Sequence, residues 1–307
     1  MIKEFAVDPE LYRTQYEWQI LFQHFGIHTG RLISKFPQNW VKEAYKSLKK
    51  NYDNKKIKEI ERKRLEERLK YLEGYLIDLS RPYDNNLDWF QNAIKEHIRT
   101  SFSAIISKSN PENQPHILKL ENLDNENEYW NTPRQIIVNR NFEDISKLLR
   151  NLFKVSSEVI LVDRHFHPTK EKYRRALVKL VKEIFSIGPN YIKLEYHILA
   201  DPLETKTQFF NSCNHYIKEF LPDSKSIKFV RWNSMNANDA NAGGNIFHAR
   251  LILTDVGGVN IEWGLDEGNR DDKTTITLLE PQTYSFFWKF HHRVDVIQDE
   301  ILVEGGQ

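Results

Sequence analysis

The stretch from 142 to 232 constrains this chain most, because strand-like and helix-like apolar segments alternate along it. Residues 158–163, Glu-Val-Ile-Leu-Val-Asp, are an unbroken apolar run between two charges. A run with no polar alternation is stable only when both its faces are covered, which marks a central strand in a helix-flanked sheet. Residues 193–200 and 226–232 predict two more strands. Between them, Tyr173, Leu177, Leu180, Val181 and Ile184 recur at helical spacing, and Phe209, Cys213, Tyr216, Ile217 and Phe220 do the same. Phe142, Ile145, Leu148, Leu149, Leu152 and Phe153 predict a helix ahead of the first strand. The order strand, helix, strand, helix, strand predicts a largely parallel sheet with helices on its faces.

Beyond this block the texture becomes that of a hairpin. Residues 249–255 read as one strand, Gly257-Gly258 as its turn, and the β-rich run from Val259 as the return strand. Alternation puts His248, Arg250, Ile252 and Thr254 on one face and Leu251 and Leu253 on the other. An imidazole and a guanidinium on one strand face suit the grip of a phosphate oxygen. A strand at 274–279 and a helix at 283–290 complete the α/β half.

The spacing His248-x-Arg250-x4-Asp255 resembles the His-x-Lys-x4-Asp motif of the phospholipase D superfamily, with arginine where that family usually has lysine. The longer pattern, ending Gly264-Leu265-Asp266, is most similar to one branch of it. That branch is the phospholipase D-like domain at the C-terminus of microtubule-interacting-and-trafficking proteins, together with its bacterial defence-associated relatives. The resemblance covers roughly residues 155–295, about half of the chain. It implies a phospholipase D-like mixed sheet flanked by helices. It also implies that His248 attacks phosphorus, Arg250 holds phosphate oxygens and Asp255 supports them. Asp163, after the first strand, resembles an acidic residue that bacterial relatives carry there, and Asp266 belongs to the Gly-Leu-Asp signature. Arg164 is a candidate to neutralise phosphate, and Glu262 or Asp266 to orient His248 or pair with Arg250. Such enzymes need two motifs and one is present here, so a two-fold homodimer is the expected source of the second. His291-His292 is the other paired candidate, behind an aromatic helix that reads as core or dimer surface. His165 and His167 would share a face with Asp163, but Pro168 ends the strand, and no metal or cofactor is expected.

Residues 1–107 read as mostly helical, with apolar stripes through Leu11–Phe25, Trp40–Leu48 and Leu87–Ile106 and a charged, solvated helix at 55–79. A polar, proline-rich loop at 109–115 and short strands at 117–120 and 135–138 follow. The expected layout is a mainly helical region, 1–140, serving a partner or regulation, then a phospholipase D-like α/β domain, 141–307. The Asn-, Ala- and Gly-rich segment 233–247 reads as a lid or as a plain crossover.

The net charge of +1 among 307 residues means any attraction to nucleic acid must come from a local patch. The single cysteine, Cys213, excludes an internal disulfide and fits an apolar helix face. No apolar run reaches the roughly 18–20 residues that span a bilayer, and the N-terminus lacks a signal-peptide layout, so a cytoplasmic protein is expected.

The resemblance implies a phosphodiesterase, foremost a metal-independent nuclease effector of a bacterial anti-phage defence system. The alternatives are an inactive module that binds a nucleic-acid backbone or lipid headgroups, since arginine grips phosphate well but is a poor proton partner, and a scaffold subunit of a defence complex. DNA or RNA is the expected partner, ahead of membrane lipid.

Overall fold

The computed structural model describes residues 1–53, 58–73, 76–189, 191–232, 248–295 and 297–306. It is a mixed α/β chain of two compact units, Met1–Pro133 and Arg134–Gln307. No helix among the described residues is long and apolar enough to cross a membrane. The segment 233–247, expected as a lid or crossover, lies outside the described residues.

The first unit contains helices α1 (Gln15–His24), α2 (Trp40–Asp53), α3 (Glu59–Glu73) and α4 (Trp89–Arg99). Thr14 and Asp88 start α1 and α4 with reciprocal capping boxes, through Glu17 and Gln91. The unit is nevertheless not mainly helical in its centre. Strands β1 (Lys3–Val7), β2 (Arg31–Ile33), β3 (Ala104–Ile106) and β4 (Ile117–Leu118) form a parallel sheet in the order β2-β1-β3-β4. Strands this short carry no readable alternation, and β3 is buried and apolar throughout, so the sequence merged it into the preceding helix. That helix in fact stops at Arg99, where the Thr100 N–H closes on Glu96 O at 2.8 Å.

The second unit is built on an eight-stranded sheet. Its members are β5 (Gln135–Asn139), β6 (Glu158–Val162), β7 (Lys193–Leu199), β8 (Ser226–Trp232), β9 (Leu251–Thr254), β10 (Gly257–Ile261), β11 (Lys273–Leu278) and β12 (Ile297–Glu304). The strand order is β12-β8-β7-β6-β9-β10-β11-β5. β6, β7 and β8 are parallel, as the apolar runs require, and the remaining pairs are antiparallel. Because β5 pairs with β11, the unit begins at Arg134 and not at 141.

Helices α5 (Phe142–Leu148), α6 (Arg150–Lys154), α7 (Glu171–Ile187), α8 (Lys206–Tyr216) and α9 (Pro281–His291) surround the sheet. Ile160, Val162, Val230, Trp232, Leu251 and Leu253 cluster with Phe290 of α9 on one face. The alternate residues Tyr196 and Phe229 stack on Phe166 on the other, where Tyr173 of α7 and Phe209 of α8 also pack.

The β9–β10 hairpin differs from its expected form in two respects. β9 begins only at Leu251, so His248 and Arg250 lie ahead of the strand and not on its face, and the glycine pair is not the turn. Gly257 and Gly258 pair with Thr254 and Leu253 inside β10, and the two-residue turn is Asp255-Val256. Gly258 is needed for close approach rather than for the turn. A Cβ there would lie 2.8 Å from Leu253 Cδ2 and 3.0 Å from Ile252 O.

Candidate functional site

In open α/β sheets the strand C-termini collect ligands, because diverging loops leave a crevice there. β6 ends at Val162, and the next residue, Asp163, is 0% exposed. Burial pushes its carboxyl above the usual range, while two backbone N–H groups and the nearby Arg250 pull the other way. Asp163 Oδ1 accepts from His165 N at 2.9 Å and Oδ2 from Leu265 N at 2.8 Å. One carboxylate therefore ties the turn after β6 to the loop after β10.

The antiparallel register of β6 and β9 pairs Leu161 with Ile252 and Val162 with Leu251. The next pair along would set Asp163 opposite Arg250, on the face away from α9. Arg250 Nη1 donates to His248 O at 2.8 Å, and its Nε is buried with no acceptor among the described residues. Arg164 reaches the same corner, with Nη1 at 3.1 Å from His248 Nε2. A guanidinium only donates, so the imidazole accepts at that nitrogen.

The third wall is the loop Trp263-Gly264-Leu265-Asp266. Gly264 holds φ at +109°, and a Cβ on it would meet Asp163 Oδ2 at 2.8 Å and Asp266 Oδ1 at 3.1 Å. Asp266 is 2% exposed and is held between Lys172 Nζ, at 2.6 Å, and the Arg140 guanidinium. Arg140 also donates to Asp266 O at 3.1 Å and Trp263 O at 3.0 Å. Lys170 closes the rim by donating to His165 O at 3.0 Å. Tyr173 lies beneath, and its hydroxyl is pushed upward in pKa by burial first and by Asp163 and Asp266 next.

Arg140, Arg164, Lys170, Lys172 and Arg250 thus gather around the carboxylates of Asp163 and Asp266. Among the described residues, Arg164, Lys170 and Arg250 have no carboxylate within ion-pair distance, whereas Arg140 and Lys172 share Asp266. The excess of positive charge is local, in a chain whose net charge is only +1.

Of the residues singled out in the sequence, His248, Arg250, Asp163, Arg164 and Asp266 come together. Asp255 does not. It lies five residues from Arg250 at the other end of β9, roughly 16 Å away at strand rise. There it accepts from Ser157 N at 2.9 Å, Ser157 Oγ at 2.5 Å and Glu158 N at 3.2 Å, which closes the hairpin end against β6. Glu262 is exposed, and its N–H bonds Thr275 O at 3.1 Å. His291 is buried beside His197 on the α9 face, with its Nδ1 3.1 Å from that of His197. His167 turns away to Thr169 and Glu204, at 2.6 and 2.9 Å.

Arg140, Lys170 and Lys172 escaped sequence reasoning. One ends an edge strand and two flank the start of a helix, positions where a cation is ordinary. Only the pairing of β5 with β11 and the packing of α7 bring them to the motif.

No family model matches the chain, and no curated protein matches it. Among solved structures, TrmBL2, an archaeal chromatin protein whose structure is described as showing a novel mode of DNA binding, is similar at 11% identity with a TM-score of 0.28. The match covers 54% of this chain and 55% of that one, so the chain spans about half of its length.

Proposed function

We propose that the second unit is a phospholipase D-like module that binds the phosphodiester backbone of a nucleic acid and holds it without cutting it. The observation that carries this reading is Arg250. Its buried Nε has no acceptor, and it stands beside Arg164 with no carboxylate in ion-pair range of either guanidinium among the described residues. A phosphate oxygen supplies the missing acceptor, and a guanidinium takes two such oxygens in one plane.

Cleavage by a phosphohistidine route needs a free lone pair on the imidazole and a way to orient the ring. Here the Arg164 N–H points at His248 Nε2, and Asp255 is occupied at the far end of β9. Both features favour binding over transfer. The charge placement favours an anion at the corner.

The test is fluorescence anisotropy of labelled DNA and RNA, single- and double-stranded, with EDTA present and the products run on a gel. Wild type should bind with affinity that falls as salt rises. Arg250→Ala should weaken binding by about 10- to 100-fold, the value of a charge-assisted contact, and reduce the salt slope by about 1. Cleavage by wild type that His248→Ala abolishes would make the protein a nuclease instead. Binding indifferent to salt and to Arg250→Ala would refute the proposal.

A further inference from the structure

Trp263 is 61% exposed, on the loop that forms the third wall of the cationic corner. Its backbone is fixed on both sides. Arg140 donates to its carbonyl at 3.0 Å, its own N–H donates to Thr274 Oγ1 at 3.4 Å, and two residues on Asp163 holds the N–H of Leu265. Gly264 leaves no room for the loop to carry a side chain at the next position, because a Cβ there would meet Asp163 Oδ2 at 2.8 Å. The indole is therefore rooted on a rigid support and presented to solvent.

It is also rooted close to the phosphate grip. The Cβ position of Gly264 lies 3.8 Å from Arg250 Cγ, and Trp263 is one residue away, about 3.8 Å between Cα atoms. The indole is thus rooted one residue from the position that touches Arg250. An aromatic face beside cations that track a backbone is how proteins hold single strands, because every base offers a π-face once it is unstacked.

We propose that Trp263 is a stacking platform for a base of single-stranded nucleic acid whose phosphate rests on Arg250 and Arg164. This inference rests on the phosphate-binding reading above and names its substrate class. A duplex hides its base faces within the helical stack, and a lipid headgroup offers no base at all. Neither uses the indole in this way.

The experiment measures affinity of the full chain for a short oligothymidylate and for an abasic sugar-phosphate oligomer of equal length. Wild type, Trp263→Ala, Trp263→Phe and Arg250→Ala are compared at one salt concentration, with anionic phospholipid vesicles as a third ligand. Trp263→Ala should weaken oligothymidylate binding by about 5- to 100-fold and leave the abasic oligomer unaffected, and Trp263→Phe should retain most of the affinity. Equal loss on both oligomers would mean that the tryptophan only supports the loop, and no loss would mean that it does not touch ligand. Either overturns stacking. Tighter binding to vesicles than to either oligomer would overturn it too. The phosphate reading fails separately, if Arg250→Ala leaves both oligomers bound as before.

Discussion

Gly264→Ala tests whether the corner is held together as described. The glycine sits at φ +109°, where an added methyl strains the backbone by roughly 1–3 kcal/mol. The new Cβ would press on Asp163 Oδ2 at 2.8 Å and Asp266 Oδ1 at 3.1 Å, both of them carboxylates fixed by other bonds. Moving Asp163 enough to relieve that contact lengthens its bond from Leu265 N, and a buried N–H left poorly paired costs about 1–3 kcal/mol. Alanine restricts the unfolded chain and so recovers roughly 0.4–1 kcal/mol. The net expectation is a loss of about 2–4 kcal/mol. For a unit of this size that is a fall in Tm of about 4–16 °C at roughly 2–4 °C per kcal/mol. Urea and thermal unfolding of the full chain measure it, with Gly306→Ala as the control, since a Cβ there meets nothing within 4 Å. Gly264→Ala should also weaken phosphate binding, because it displaces the carboxylate opposite Arg250. A variant within about 0.5 kcal/mol of wild type, the usual range for neutral surface changes, would refute the geometry argued for this loop.

Asp255→Ala should cost about 1–2 kcal/mol of stability by freeing the N–H groups of Ser157 and Glu158, while leaving nucleic-acid affinity unchanged. A loss of binding in calorimetry, with stability intact, would return Asp255 to the site. The second expectation concerns pH. Burial holds the His197 and His291 imidazoles below their ordinary value, against the opposing pull of the Glu195 carboxylate on His197. Both are therefore neutral in the fold and gain protons on unfolding near pH ~6.5. The unfolded state then binds more protons below that pH, so stability is full above it and falls as the pH drops toward 5, by at most about 1.4 kcal/mol per unit for each imidazole. Unfolding midpoints from pH 5 to 8 measure this, and a flat wild-type profile across that range would contradict the neutral pair.

The parallel core of the second unit was legible because its signal is local. An apolar run such as Val159-Ile160-Leu161-Val162 has no stable place except between two covering layers, whatever lies elsewhere in the chain. Helix α7 was equally plain, since Tyr173, Leu177, Leu180, Val181 and Ile184 make a buried stripe at its own period. The sheet of the first unit was not legible. Three residues such as Arg31-Leu32-Ile33 or Ala104-Ile105-Ile106 become strands only because β1 runs between them and pairs with both. The glycine pair of the hairpin misled for a related reason. Gly257 and Gly258 lie inside β10, and Gly258 is needed by the packing of β10 on β9, which a turn preference cannot reveal.

The site divides in the same way. The sequence by itself determined that an acidic residue ends the first buried strand, because a strand end is a property of neighbouring residues. The expected strand face shared by His248 and Arg250 did not form, since both lie ahead of β9. Only the tertiary structure decided which charges meet. It set Arg250 beside Asp163 through the β6–β9 register, used Arg140 and Lys172 to hold Asp266, and carried Asp255 to the opposite end of its strand. The physical reason is range: side-chain periodicity is fixed within a few residues, whereas an electrostatic site is fixed by distances in space, which follow from strand order and packing.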